Sequence, residues 1–292
     1  MVESAPSGQI APPIPYPPVW QIAVLATFAV WLYFQTMFHL AAQWAHDPNF
    51  SHGFFVPAFS AFVIWHERRR IFSLPLHPSW SGLAVLTLAL ALLVTGQLGA
   101  ELFLARVSML VFIAGLVGFF LGWQYLRAAV FPWAFLLLMI PIPAILLNQI
   151  TLPLQLLAAR LASASLPLCN VPVLREGNVL HLSVMTLEVA DACSGIRSLM
   201  SLVTLAIIYG YFTEPRKWIR ILLAAAAVPI AVIANSFRII GTGLLVQFWD
   251  PGKAEGFFHT FQGWLIFIVS LLLLFATHRL LQWIMPHSET GQ

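Results

Sequence analysis

Charged side chains are scarce in this chain. Asp, Glu, Lys and Arg make up 9% of its 292 residues, against roughly 25% in an ordinary soluble domain. That shortage excludes a soluble globular protein, and with 60% of the residues hydrophobic it assigns the chain to the membrane. Cysteine is rare as well: Cys169 and Cys193 are the two present. Two are too few for a disulfide framework, although a single bridge outside the cytoplasm stays open. The first nineteen residues are rich in Pro and Ser and contain neither Lys nor Arg, so the basic start and small-residue cleavage site of a signal peptide are missing. There is no basic run of the sort that tracks nucleic acid, and the formal net charge of +3 comes mostly from lysines and arginines in loops. Neither a Gly-rich phosphate cradle nor a repeat of fixed period is found.

What the chain does have is a succession of apolar runs. Eight of them, near 20–42, 54–66, 81–99, 103–122, 128–147, 194–212, 218–248 and 261–284, read as spans on the scale of the roughly 20 residues that cross a bilayer core. The predicted fold is an all-α polytopic membrane protein of about eight transmembrane helices. A disordered tail is expected over 1–19, one transmembrane domain over 20–285 and a C-terminal tail over 286–292. The stretch 149–168 is apolar but carries Gln155 and Arg160 between Pro153 and Pro167, which suits an interfacial helix.

The positive-inside rule orients the set. With eight spans, "HERRR" (66–70), Arg127, "PRKWIR" (215–220) and Arg279 all fall on the cytoplasmic side. Counting 149–168 as a span would move "PRKWIR" outside. Segments 44–53, 148–193 and 250–259 then share the outer face. Within them Leu180, Leu182 and Val184 alternate with His181 and Ser183, and "EGN" (176–178) supplies a turn, so a small extracytoplasmic β-hairpin is predicted. Prolines 141 and 143 predict a kink near the outer surface.

Candidate chemistry gathers at three outer helix ends. In "VADACSGIRSLMSLV" (189–203), Cys193 falls in the first turn of a helix with Arg197 one turn later on the same face. Unpaired N–H groups at a helix start and a nearby cation both favour the nucleophilic thiolate. Asp191 opposes this as a charge but can cap the helix. The alternative is a small buried thiol, a common fate of free cysteine. In "NSFRIIGTG" (235–243), Asn235 and Arg238 share one face of an apolar helix. An arginine at that depth is a functional-site candidate, with snorkelling to the headgroups as the rival explanation. "FFHTFQGW" (257–264) opens the last span with His259, and Gln262 follows on the same face.

Together, a thiol, an arginine and an imidazole outline a thiol acyl-transfer site, in which Cys193 attacks a carbonyl, His259 shuttles the proton and Arg238 stabilises the oxyanion. His52 is placed to line the mouth, although a turn role explains Pro48 and Gly53 equally well. Asp191 could orient Arg197 or meet a basic group. His52, His181 and His259 would be the ligands of any metal, but neither a metal nor a cofactor is expected.

"ACSGIRSL" (192–199), "NSFRI" (235–239) and "HTFQGW" (259–264), in this order and with "NFSHGFFVP" (49–57) ahead of them, resemble the exosortase/archaeosortase family. The resemblance runs from about residue 20 to about 284. It implies a polytopic membrane cysteine protease or transpeptidase that acts on exported proteins bearing a C-terminal signal: a short Pro-Glu-Pro-like motif, a transmembrane helix and a basic tail. It further implies Cys193 as nucleophile, Arg238 as essential arginine and His259 as third member. A histidine at that position favours the bacterial branch, hence an inner-membrane protein with its site facing the periplasm. The implied partners are those substrate proteins and membrane lipid, with no nucleic acid.

Two other classes compete. A transporter would use the interrupted helices, Asn235 and Arg238 as a midplane site, and a membrane acyltransferase of surface-polysaccharide assembly would need histidine but no thiol. The orientation itself is testable. A cysteine introduced at Ser73 is expected to stay unlabelled by a membrane-impermeant thiol reagent in intact cells and to react after permeabilisation, and labelling in intact cells would invert the assignment.

Overall fold

The structure, a computed structural model, describes residues 19–189, 195–248 and 257–285, with the backbone alone at 19, 21–22, 195–196 and 257–263. Asp191 and Cys193 therefore lie outside the described residues, as does most of the 1–19 tail. Among the described residues six helices are long and apolar enough to cross a membrane, so the chain is a multi-pass membrane protein. Two further apolar helical stretches, Val130–Met139 and Arg197–Thr213, are shorter.

The chain divides into two compact units: residues 1–42 with 56–140, and residues 43–55 with 141–292. The first contains most of α1 (Val19–His46), then α2 (Phe55–His66), α3 (Arg68–Phe72), α4 (Ser81–Leu98), α5 (Leu102–Phe120), α6 (Trp123–Ala128) and α7 (Val130–Phe135). Its core is the α4–α5 hairpin, where small residues let the backbones close up. A Cβ on Gly96 would sit 2.7 Å from the Ala105 amide nitrogen, so only glycine fits there. Tyr33 ties α1 to α5 through its hydroxyl, 3.3 Å from Ser108 Oγ, and through ring contact with Phe112.

Two expected spans take a different form here. The 54–66 run is the helix α2 of 12 residues, about 18 Å at a rise of ~1.5 Å per residue, which is shorter than a bilayer core. The 128–147 run is not one helix, because α7 passes into a 3-10 turn over Leu136–Met139. The chain then breaks at Pro141 and Pro143, which supply no amide donors.

The second unit opens with a 3-10 turn over Pro48–Phe54 and resumes with α8 (Ala144–Ser165). The stretch expected as an interfacial helix is instead long and apolar enough to cross a membrane: α8 is continuous through Pro153 and extends by a 3-10 turn to Cys169. A three-stranded antiparallel sheet follows, with β1 (Val173–Glu176), β2 (Val179–Leu182) and β3 (Thr186–Glu188) in that order. Gly177, at φ 64°, takes the positive φ that the tight β1–β2 turn demands. The hairpin of the sequence is thus present, with β3 added: Leu180 faces Leu187 and His181 faces Thr186. Leu180 and Leu182 are buried, but Val184 falls in the following bend and is exposed.

Helices α9 (Gly195–Thr213), α10 (Lys217–Phe248) and α11 (Phe257–Ile284) complete the unit. Central α10 packs against α8, α9 and α11, and the small residues Ala227, Ala231 and Ala234 on its buried face admit its neighbours. Leu202, Ala206, Leu223 and Leu274 join α9, α10 and α11 in one core, while Val232 and Ile239 join the sheet and α8 in another.

At the α9–α10 turn sits a buried carboxylate. Glu214 is 1% exposed. Its Oε1 accepts from Arg216 Nε at 2.7 Å and from the Arg216 amide at 3.1 Å. Oε2 lies 3.4 Å from His278 Nε2 on α11. His278 Nδ1 meets the Tyr209 hydroxyl at 2.8 Å, and Arg216 Nη1 donates to the Met285 carbonyl at 2.8 Å. The cluster therefore fastens the ends of α9, α10 and α11 together. Arg216 above all holds the Glu214 carboxyl at about 2, below its ordinary 4.5, against the opposing effect of burial. Because the folded value lies below the unfolded one, the contribution to stability is complete above about pH 4.5 and is lost as pH falls towards 2. Glu214→Ala is expected to lower stability by roughly 3–5 kcal/mol, the usual cost of leaving a buried charge without its partner. Thermal unfolding in detergent checks this. The stability advantage of wild type over Glu214→Gln should shrink as pH is lowered below 4.5, and a pH-independent advantage would contradict the assignment.

Candidate active site

Helix ends position the candidate residues of the second unit. Strand β3 ends at Glu188, and the Val189 amide donates to the Asn178 carbonyl at 3.0 Å. The sheet thereby anchors the chain just before the segment that holds Asp191 and Cys193. Helix α9 begins at Gly195, so Arg197 lies in its first turn, and its side chain is exposed.

The buried turn at Glu214 sets a common origin for measuring height. From Thr213 back to Arg197, α9 climbs about 24 Å at ~1.5 Å per residue. From Lys217, α10 climbs about 27 Å to Asn235 and about 32 Å to Arg238. The His278–Glu214 contact shows that α11 runs antiparallel to α10, and from His278 back to His259 the rise is about 28 Å. Arg197, Asn235, Arg238 and the backbone of His259 therefore stand within about two turns of one level, at the end of the bundle opposite Glu214. Gln262 follows His259 one turn along α11, and of both residues only the backbone is described.

Asn235 is 7% exposed, and Arg238, one turn further along, is half-buried. The Arg238 carbonyl accepts from Thr242 Oγ1 at 2.9 Å. Asn235 shares a cavity of about 30 Å³ with Thr151, Gln155 and Leu199, room for a water molecule or two between polar side chains. Gln155 and Thr151 are the residues that sequence reasoning missed. It read Gln155 as the mark of an interfacial helix, whereas polar residues four apart on an apolar helix signal a shared face.

His52 is 7% exposed and belongs to the Pro48–Phe54 turn, which packs against α9. Asp47 caps that turn by accepting from the Asn49 amide at 2.9 Å. Gly53 lies under the Trp44 indole, where a Cβ has no room. Asn49 Oδ1 is buried with no hydrogen-bond partner among the described residues. The motif thus has a turn role, and the same turn carries His52 into contact range of the α9 helix.

His181, one candidate metal ligand, meets Glu176 at 3.3 Å and Thr186 at 3.2 Å. Among the described residues no group of three or more His, Cys, Asp or Glu is placed to hold a metal ion.

The family model for transmembrane exosortases matches residues 44–276. This chain belongs to that family. The match runs from the turn that carries His52, through the sheet and α9–α10, to well inside α11. Nothing matches the chain among curated proteins or among solved structures. Family membership makes this exosortase a membrane enzyme of sorting-signal processing.

Proposed function

We propose that this exosortase is a cysteine protease or transpeptidase that cleaves the C-terminal, Pro-Glu-Pro-like sorting signal of exported proteins at the periplasmic face of the bacterial inner membrane. The observation that carries the reading is the common level of Arg197, Asn235, Arg238 and His259 on three packed helices, with Cys193 only two residues before α9 begins.

In this reading the Cys193 thiolate attacks the scissile carbonyl carbon. Arg238 meets the resulting oxyanion with its planar fork of donors. The tetrahedral adduct collapses, the C–N bond breaks, and the leaving amine takes a proton from His259. The acyl group is left as a thioester on Cys193, and water or an acceptor amine then releases it. Arg197, one turn beyond Cys193, favours the thiolate, and Asp191 caps α9 or orients Arg197. Asn235 steadies the Arg238 face through its cavity with Gln155 and Thr151, Gln262 supports His259, and His52 lines the mouth. The substrate's transmembrane helix lies in the bilayer beside the enzyme, and its basic tail stays on the cytoplasmic side.

Cleavage of a tagged C-terminal substrate in membranes tests the roles. Cys193→Ala should abolish processing at unchanged protein level, and Cys193→Ser separates the acyltransferase class, which would remain active. Arg238→Lys keeps the charge but loses the fork, and should slow the reaction by roughly 10²-fold or more. His259→Ala should cost roughly 10²–10⁴-fold, with a pH-dependent loss. Wild-type rates in both Arg238→Lys and His259→Ala would remove both residues from the site.

A further inference from the structure

The first unit holds a second polar cavity, and none of the residues of the proposed site lines it. It measures about 280 Å³ and opens beside the α4–α5 turn. Its polar lining is Gln35, Thr36 and His39 from α1, Gln97 from α4, and Arg106 from α5, and no Asp or Glu contributes. Arg106 is 4% exposed, and its Nε has no hydrogen-bond partner among the described residues. The nearest carboxylate in sequence, Glu101, is engaged elsewhere: it caps α5 by accepting from the Phe103 amide at 3.3 Å. A buried guanidinium without a counter-charge among the described residues is costly inside a membrane protein and marks a ligand by default.

We propose that this cavity binds a phosphate-bearing group, with Arg106 as its anchor. The donor set fits that chemistry. A guanidinium forks onto two phosphate oxygens, while the amides of Gln35 and Gln97 and the Thr36 hydroxyl can donate to those remaining. Depth fits as well. Arg106 stands one turn inside the start of α5 at Leu102, about 6 Å from the helix end, where phospholipid headgroups meet the hydrocarbon. The close approach of Gly96 to Ala105 seals one wall, and on α1 Gln35 and His39 are exposed polar residues in an otherwise apolar stretch. Polar side chains at that depth are expensive against lipid tails and are accounted for by a polar occupant.

The full-length protein and Arg106→Gln, purified in detergent, provide the test. Native mass spectrometry reads phospholipid retained by each. Thermal unfolding is followed during titration with phosphatidylglycerol, with a diacylglycerol of the same chains, and with inorganic phosphate. Wild type should retain one more phospholipid than Arg106→Gln and respond to phosphatidylglycerol but not to diacylglycerol. Its apparent affinity should exceed the variant's by about tenfold or more, the scale of a lost charge-assisted hydrogen bond. If inorganic phosphate stabilises wild type alone and displaces the lipid, the occupant is a free phosphate group; if it does neither, the occupant is a lipid headgroup. Should Arg106→Gln fail to fold, Gln35→Leu combined with Gln97→Leu should weaken the same titration. Identical titrations in wild type and variant, for lipid and phosphate alike, would overturn the proposal.

Discussion

One carboxylate organises the second unit. Glu214 is fully buried at the turn between α9 and α10 and is held by Arg216 from its own turn and by His278 from α11. In a chain with so few charges, an acid placed there would be severely destabilising unless partnered, and partnering it forces the ends of three helices together. Arg220 Nε adds a bond to the Glu214 carbonyl and its guanidinium lies 5.3 Å from the Tyr211 ring, so the turn is braced from α10 as well. Helices are stiff and rise uniformly. Fixing three of them at one end therefore fixes the relative heights of whatever they carry at the other.

That is how residues far apart in sequence come to one level. Arg197 is near the start of α9, Arg238 is in the outer third of α10, and His259 is near the start of α11. The sheet supplies the second constraint. Val189, Leu187, Leu182 and Leu180 pack with Ile239 and Val232 of α10 and with Ala158, Ala159 and Ala162 of α8. The end of the sheet at Val189 is thus packed beside the helix turn that bears Asn235 and Arg238, and the Asn235 cavity is lined from α8, α9 and α10.

Much of this was legible in the sequence. Apolar length and the scarcity of charge gave the membrane class, and the ordered motifs gave the family and the three helix ends, because both depend on local composition and spacing. The turn at Glu176–Asn178 was readable for the same reason. The exceptions have physical causes. Three residues of β3 are too few to carry a period, so the hairpin's third strand was invisible. Pro153 does not interrupt α8, because a proline costs a helix one donor and a membrane helix tolerates it when neighbours compensate. The 128–147 run looked continuous in hydropathy, yet backbone geometry at Ile140–Pro143 divides it. Nothing in local pattern could bring Gln155 and Asn235 to one cavity, or pair Glu214 with His278, since those arrangements exist only through tertiary packing.

The same physics explains why a thiol suits the threshold it occupies in the proposed reading. A serine nucleophile would need its base in place at every moment. A thiol enters such a boundary as a small, weakly polar group. It becomes a strong nucleophile only on deprotonation, which the free amides at the start of α9 and the Arg197 charge one turn along both favour. In that reading, the closeness of Cys193 in sequence to the start of α9 at Gly195 lets one residue suit both the membrane and the chemistry. The arginines need no such compromise at this end of the bundle: Arg197 is exposed and Arg238 half-buried, so each can reach water or substrate while its stem packs against apolar neighbours.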